Sequence, residues 1–394
     1  MRLRKIAGAL ALCALVAGGT AHAKPEMGSP LVGTFCSAGG AIIGTGSTLV
    51  NNAMSNVFIP AYNTECGKGT IAYTATGSAA GKAAILNRTA AWGGSDDPLG
   101  VDEWVSDMAD ASGAAGRVSP IHHIPLAIAA VTVDVNLASC GITASNVLKL
   151  TSTNIAEIYM GLITKWNDAA ITGNNAQLSS CNKAIKLVAR GDGSGSTYAL
   201  KDYLSKRMPA PWNAYKQPAL NTAWPAEDLG LASVTRGTGG GGVAAAVKAN
   251  DGAIGYVDLA TAKKNLLTWA KVDSLSTEFN APNAGAGANC TAAASGAVFP
   301  PSTLLPGWDA LTMTDTPVSG VYGICTFTYA LVYNDLHSAY GASMSTAQAQ
   351  TLVDFMGLAV SSPVQAKLNA AGYDALPDTL LQIARVGVAT INLN

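Results

Sequence analysis

Arg190-Gly191-Asp192-Gly193-Ser194-Gly195-Ser196 puts a guanidinium, a carboxylate, two hydroxyls and three glycines into one short run. It leads into a segment where Ala199, Leu200, Tyr203 and Leu204 recur at helical spacing and make one apolar face. The first N–H groups of such a helix have no partner within it, and they carry the positive end of its dipole. Glycines let that backbone approach a ligand with no Cβ between them. Recognition of an oxyanion such as phosphate is the chemistry this suits. A solvated Gly/Ser turn with a capping serine uses the same residues, and the run alone leaves both readings open.

Two further segments repeat the arrangement. Gly44-Thr45-Gly46-Ser47-Thr48-Leu49 precedes a helical pattern that continues toward Phe58. Gly77-Ser78-Ala79-Ala80-Gly81 follows a strand-like run over 70–74 and leads into the helical pattern from Lys82 to Leu86. Ligands in α/β folds sit at such carboxyl ends of strands, although ordinary βα turns are built from the same residues. Trp92-Gly93-Gly94-Ser95-Asp96-Asp97-Pro98-Leu99 adds a carboxylate. Phosphate near neutral pH still carries a proton, and its O–H can donate to Asp96. Sulfate carries none and would face a buried carboxylate unpaired, which is costly. An acidic acceptor thus makes an anion site selective for protonated oxyanions. Read alone, Asp96 or Asp97 also suits the start of a turn before Pro98.

The elements that must position these residues follow from periodicity. Short β-like runs over 70–74, 128–135, 185–189, 253–257 and 329–333 alternate with helical patterns over 154–160, 242–249, 346–355 and 362–371. That alternation predicts an α/β architecture. The start of the chain reads as a secretory signal over 1–23: a basic Met1-Arg2-Leu3-Arg4-Lys5, an apolar stretch to Gly18, and the small-x-small Ala21-His22-Ala23. Cys13 follows the bulky Leu12, which disfavours a lipoprotein signal. A soluble exported protein, periplasmic or secreted, is expected.

Without residues 1–23 the chain has 371 residues with 21 basic and 25 acidic side chains, a balance of −4. That length predicts two domains. The charge argues against nucleic acid and anionic membrane surfaces as partners. Any anion must therefore be captured by local donors against a weakly repulsive field. The six remaining cysteines, Cys36, Cys66, Cys140, Cys181, Cys290 and Cys325, read as disulfides in an exported chain. Nearest-neighbour pairing is one of about 15 connectivities. None has C-x-x-C spacing, and His122 and His123 are adjacent, so neither strand nor helix aims both at one metal. No metal and no cofactor is expected. Gly237–Gly242 lacks the Lys-Ser/Thr ending of a P-loop, and Asp192 and Ser196 stand where a nucleophile elbow around Ser194 needs glycines. The stretch 274–316 is rich in Ala, Gly, Pro and Thr with weak periodicity, and reads as a long surface excursion tied down by Cys290.

Together the four segments resemble the extracytoplasmic phosphate-binding proteins of ABC importers, the PstS type with its DING relatives, over nearly the whole mature chain. Asn154-Ile155-Ala156-Glu157-Ile158-Tyr159-Met160-Gly161 with Ile163-Thr164-Lys165-Trp166-Asn167-Asp168 matches one signature of that family. Gly241-Gly242-Val243 with Gly252-Ala253-Ile254-Gly255-Tyr256-Val257 matches a second, and Gly372-Tyr373-Asp374-Ala375-Leu376-Pro377 a third. The resemblance implies a two-domain periplasmic binding protein type II fold with the ligand in the interdomain cleft. Domain one would comprise 24–131 and 327–394, and domain two 132–326. Thr48, Leu49, Ser78 and Asp96 would bind phosphate from one wall, and Arg190, Ser194, Gly195 and Ser196 from the other. Asp192 would pair with Arg190 and orient it. The implied role is a non-enzymatic, monomeric receptor that passes inorganic phosphate to a membrane ABC permease. An exported DING-like scavenger and a secreted phosphomonoesterase on the same scaffold are the alternatives. The chain departs from the family pattern at Ser196, where threonine is usual, and in the excursion over 274–316, which is closer to the longer DING-like members.

Overall fold

The computed structural model describes residues 36, 39–100, 103, 119–208, 221–224, 234–282, 289–294, 297–302, 305–308 and 311–393. The signal segment read over 1–23 lies outside these residues, as do parts of the 274–316 excursion.

The chain alternates strands and helices: β1 (Ala41–Gly46), β2 (Thr70–Ala75), α1 (Ser78–Leu86), β3 (Trp92–Ser95), β4 (Ile121–Val135), α2 (Ser152–Tyr159), β5 (Lys186–Arg190), α3 (Gly195–Arg207), β6 (Val234–Gly237), α4 (Gly239–Ala249), β7 (Ala253–Asp258), β8 (Cys325–Tyr333), α5 (Thr346–Ala359) and α6 (Asp378–Ala389). The sheet runs β2-β1-β3-β8-β4-β7-β5-β6, with Thr268–Trp269 also paired to β4. β1 is parallel to β2 and β3, and β5 is parallel to β6 and β7. β8 lies antiparallel between β3 and β4.

β4 organises the whole. All 15 of its residues are buried, the polar His122, His123, Thr132 and Asp134 included, so the strand is covered on both faces. From Ile121 to Ala130 it pairs with β8, and from Val131 to Val135 with β7. One continuous strand therefore serves two groups of parallel strands. The ladder with β8 shifts register between Thr328 and Tyr329, opposite the stretch Pro125–Ala127. Pro125 has no N–H to give, and an irregularity in the ladder accommodates it.

Two helical readings need correction. The pattern after Leu49 is broken into Asn51–Ala53, a π-helical stretch Met54–Phe58, and Ile59–Glu65. Pro60 lacks the N–H that an α-helix needs there, and a π-turn just before it absorbs the missing bond. The pattern over 362–371 is two short pieces, Ser362–Gln365 and the 3-10 turn Asn369–Ala371, ended by Gly372 at φ +93°. Gln365 is buried there: its amide donates to the carbonyls of Leu126 and Ala359, and its Oε1 accepts from Leu376 N–H. The tight exit also lets Asp374 exchange backbone hydrogen bonds with Ile128 of β4.

The cysteines pair in nearest-neighbour order, Cys36–Cys66, Cys140–Cys181 and Cys290–Cys325, with Cα separations of 4.9, 5.6 and 5.7 Å. Among the described residues no helix is long and apolar enough to cross a membrane. His122 and His123 are both buried in β4. His122 bonds Ser302 and Asn334, while His123 accepts the Leu99 N–H.

Candidate functional site

The carboxyl ends of β1, β2, β3, β5 and β6 converge. β1 ends at Gly46 and delivers Ser47, Thr48 and Leu49. β2 is followed by Gly77, whose φ of +99° swings the chain so that Ser78 opens α1. A Cβ on Gly77 would fall 2.5 Å from the Gly193 carbonyl oxygen, so only glycine fits this close approach. Asp96 follows β3 directly. Arg190 is the last residue of β5, and Ser194 caps α3, accepting from the N–H groups of Ser196 and Thr197. Beyond β6, Gly239 and Gly240 open α4.

Asp96 and Arg190 are each only 2% exposed. Ser47 Oγ lies 2.7 Å from both Asp96 carboxylate oxygens and donates to them. Ser78 Oγ donates to Asp96 Oδ2 at 3.2 Å while accepting the Asp96 N–H at 3.1 Å. Burial pushes the Asp96 carboxyl up to about 6, and the hydroxyl donors and the Arg190 charge only partly offset it. The Arg190 guanidinium is held on two sides. Its Nε and Nη2 grip the Asp192 carboxylate in a two-point pair, and Nη1 donates to Ser194 Oγ at 2.6 Å. Partial burial raises the Asp192 carboxyl, but the Arg190 pairing outweighs it and holds the group below its usual range.

The two groups of strand ends meet across this point. Gly195 N–H donates to Ser78 Oγ at 3.1 Å, and Gly240 N–H to Thr48 Oγ1 at 3.4 Å. A Cβ on Gly195 would fall 2.4 Å from the Asp96 Cβ, so the α3 N-terminus packs directly on the carboxylate. The structure thus gathers Thr48, Leu49, Ser78, Asp96, Arg190, Asp192, Ser194, Gly195 and Ser196 in one place. Two of the named amides turn inward: Leu49 N–H goes to Ser47 Oγ and Ser196 N–H to Ser194 Oγ.

Three participants escape the sequence reading. Ser47 sits inside the first Gly-rich run, but its contact with Asp96 spans 49 residues. Gly239 and Gly240 belong to the glycine run set aside for lacking a P-loop ending. Gly239 N–H donates to Asp192 Oδ1 at 2.9 Å, so Asp192 joins Arg190 to the α4 N-terminus. The signal was the placement of those glycines between a strand and a helix.

A family profile described as the PBP superfamily domain matches residues 24–358. The phosphate-binding protein PstS of Pasteurella multocida is 34% identical over 212 residues, which is 54% of this chain and 55% of that protein. The chain thus matches about half the length of such curated relatives. The solved phosphate-binding protein from Stenotrophomonas maltophilia superposes with a TM-score of 0.63 at 22% identity, covering 88% of this chain and 93% of that one. The high-affinity periplasmic phosphate-binding protein PfluDING, solved with phosphate, gives a TM-score of 0.66 at 20% identity over the same shares. The fold is α/β and of the two-domain periplasmic binding type.

Proposed function

This chain belongs to the PBP superfamily, and from that premise we propose that it binds inorganic phosphate between two domains and serves a membrane ABC permease as extracytoplasmic receptor. The domain limits in this reading are 24–131 with 327–394, and 132–326. The change of partner along β4 between Ala130 and Val131 supports them. Thr48, Leu49, Ser78 and Asp96 form one wall, and Arg190, Ser194, Gly195 and Ser196 the other, with Asp192 bracing Arg190.

The carrying observation is a buried carboxylate, Asp96, set among hydroxyl donors within reach of a buried arginine's charge. A site for anions in general has no use for Asp96. A ligand that is negative yet brings its own proton uses both groups: its oxygens face Arg190 and the helix amides, and its O–H donates to Asp96. Inorganic phosphate meets that description and sulfate does not. In this reading the anion enters between Ser78 and Gly195, whose 3.1 Å hydrogen bond it exchanges for its own contacts. Donors on both walls make closure depend on the ligand. The chain acts by binding, without catalysis.

Calorimetry with phosphate and sulfate on the wild type and Asp96→Asn tests this. The wild type should bind phosphate and exclude sulfate, and the variant should lose discrimination more than overall anion affinity. Undiminished discrimination in Asp96→Asn sinks the proton-acceptor role.

A further inference from the structure

The excursion between Ser274 and Thr316 has no role in the site just described, yet its described parts reach both sides of it. One set of anchors lies on the strands shared with β1–β3. The Ser302 carbonyl accepts His123 N–H at 2.7 Å, and Ser302 Oγ shares a 2.8 Å hydrogen bond with His122 Nδ1. Trp308 is fully buried and stacks on the His123 ring at a 5.9 Å centroid distance, with the Tyr329 ring edge-on at 5.3 Å. Cys290 is tied to Cys325 at the start of β8, and its N–H donates to the Asp374 carboxylate.

The other anchors lie on α3, the helix whose N-terminus faces Asp96. Thr314 Oγ1 donates to Asp202 Oδ2. Lys206 Nζ donates to Thr314 Oγ1 at 3.0 Å and to its carbonyl at 3.3 Å, bonds Thr312 Oγ1, and pairs with Asp202 at 2.9 Å. Between the two sets of anchors, Leu311 and Met313 line a small cavity together with Asp96, Pro98, Tyr198 and Asp202. The excursion therefore shares the wall of a cavity with Asp96. It also holds α3 against the strands that carry Asp96.

We propose that residues 311–316, anchored through Ser302 and Trp308 at one end and clamped by Thr314 to Asp202 and Lys206 at the other, form a strap that positions α3 against Asp96 and slows the separation of the two walls. Thr314 is a positioning residue. It touches no ligand, and it acts through the helix that carries Ser194 and Gly195. Cleft opening loads the contacts of Thr314 with Asp202 and Lys206 and the stacking of Trp308 on His123, so the strap adds these contacts to the opening barrier. The signature is kinetic. Ligand release quickens when the clamp is cut, while capture from the open state changes little.

The phosphate reading supplies only one of the two readouts. Radiolabelled phosphate is bound and chased with unlabelled phosphate on the wild type, Thr314→Val, Lys206→Met and Thr314→Ser. Loss of a hydrogen bond to a charged group predicts release about tenfold faster in the first two variants, with association changed by less than about twofold. Thr314→Ser keeps the hydroxyl and should release like the wild type. Lys206 lies partly exposed, so its replacement opens no buried cavity, and thermal unfolding of each variant without ligand checks that the fold stands. Amide hydrogen exchange across Tyr198–Asp202 in ligand-free protein is the second readout, and it should quicken in the same two variants. A wild type that binds no phosphate refutes the functional reading, and the exchange rates then decide on the strap by themselves. Release rates and exchange that match the wild type in both Thr314→Val and Lys206→Met overturn it.

Discussion

Replacing Gly195 with alanine should wedge the two walls apart. The new Cβ would stand 2.4 Å from Asp96 Cβ, 2.5 Å from its Oδ2 and 2.8 Å from its Cγ. Carbon atoms settle at about 3.5–4 Å, so Asp96 and the start of α3 must separate by about 1 Å. Asp96 cannot easily turn away, because Ser47 holds both of its oxygens at 2.7 Å. The Gly195–Ser78 hydrogen bond, 3.1 Å here, would stretch to about 4 Å and be lost. A phosphate between the walls would then miss the donors of one side. Two charge-assisted hydrogen bonds lost at about 1.5–3 kcal/mol each amount to about 3–6 kcal/mol, a weakening of roughly a hundredfold to ten-thousandfold. The fold itself should hardly notice. Gly195 is not among the positive-φ glycines and begins a helix, where alanine is well accepted. The assay is therefore a pair: calorimetric phosphate affinity, and thermal unfolding without ligand. An affinity within about threefold of the wild type would show that the walls do not close on the Gly195 face, and the geometry of the proposed site would fall with it.

Arg190→Ala should weaken phosphate binding by about a hundredfold or more, because it removes the buried cation and leaves Asp192 facing the site with its charge unpaired; calorimetry on the variant checks this, and a near-wild-type dissociation constant refutes the assignment. Burial pushes His122 down to about 4, so the unfolded chain binds the proton first as pH falls below about 6.5, and the stability this neutral histidine supplies at neutral pH is lost toward pH 4. The destabilisation of His122→Gln relative to wild type, read from urea midpoints, should therefore shrink by up to about 3 kcal/mol between pH 7 and pH 4, and a constant difference would refute that account.

Much of the candidate site is legible in the sequence because the segments that build it are local. A glycine run with hydroxyls after a strand-like segment announces a helix start, and Arg190–Ser196, Gly77–Ser78 and the turn before Thr48 all lie in such runs. The apolar run over 128–131 marks β4 for the same reason, although the sequence predicts its start at 128 where the strand begins at Ile121. What stayed hidden depends on contacts between distant parts of the chain. Nothing near Thr48 foretells that its hydroxyl meets Gly240, 192 residues on. The helical pattern over 362–371 was locally sound, and it lost to the buried amide of Gln365 and to the return of Asp374 onto β4. The excursion gave no periodicity to read because what orders it is supplied by others: His122, His123, Asp202 and Lys206.

In the proposed site, Asp96 ties the stability of the fold to the choice of ligand. Its carboxyl titrates near 6 in the folded chain, above its usual value, so the folded state holds the proton more firmly than the unfolded one. That preference stabilises the protein at low pH and is lost as pH rises through about 6. At neutral pH the carboxylate is ionised in a place that burial makes unfavourable, and Ser47, Ser78 and the Arg190 charge relieve only part of the cost. An oxyanion with a proton to share supplies one more donor, at the atom where it is worth most. An oxyanion without one brings a second negative charge to the same spot and no donor. Selectivity in the proposed site therefore follows from the burial that strains the unliganded protein, and exposing Asp96 to water would relieve the strain and the selectivity together.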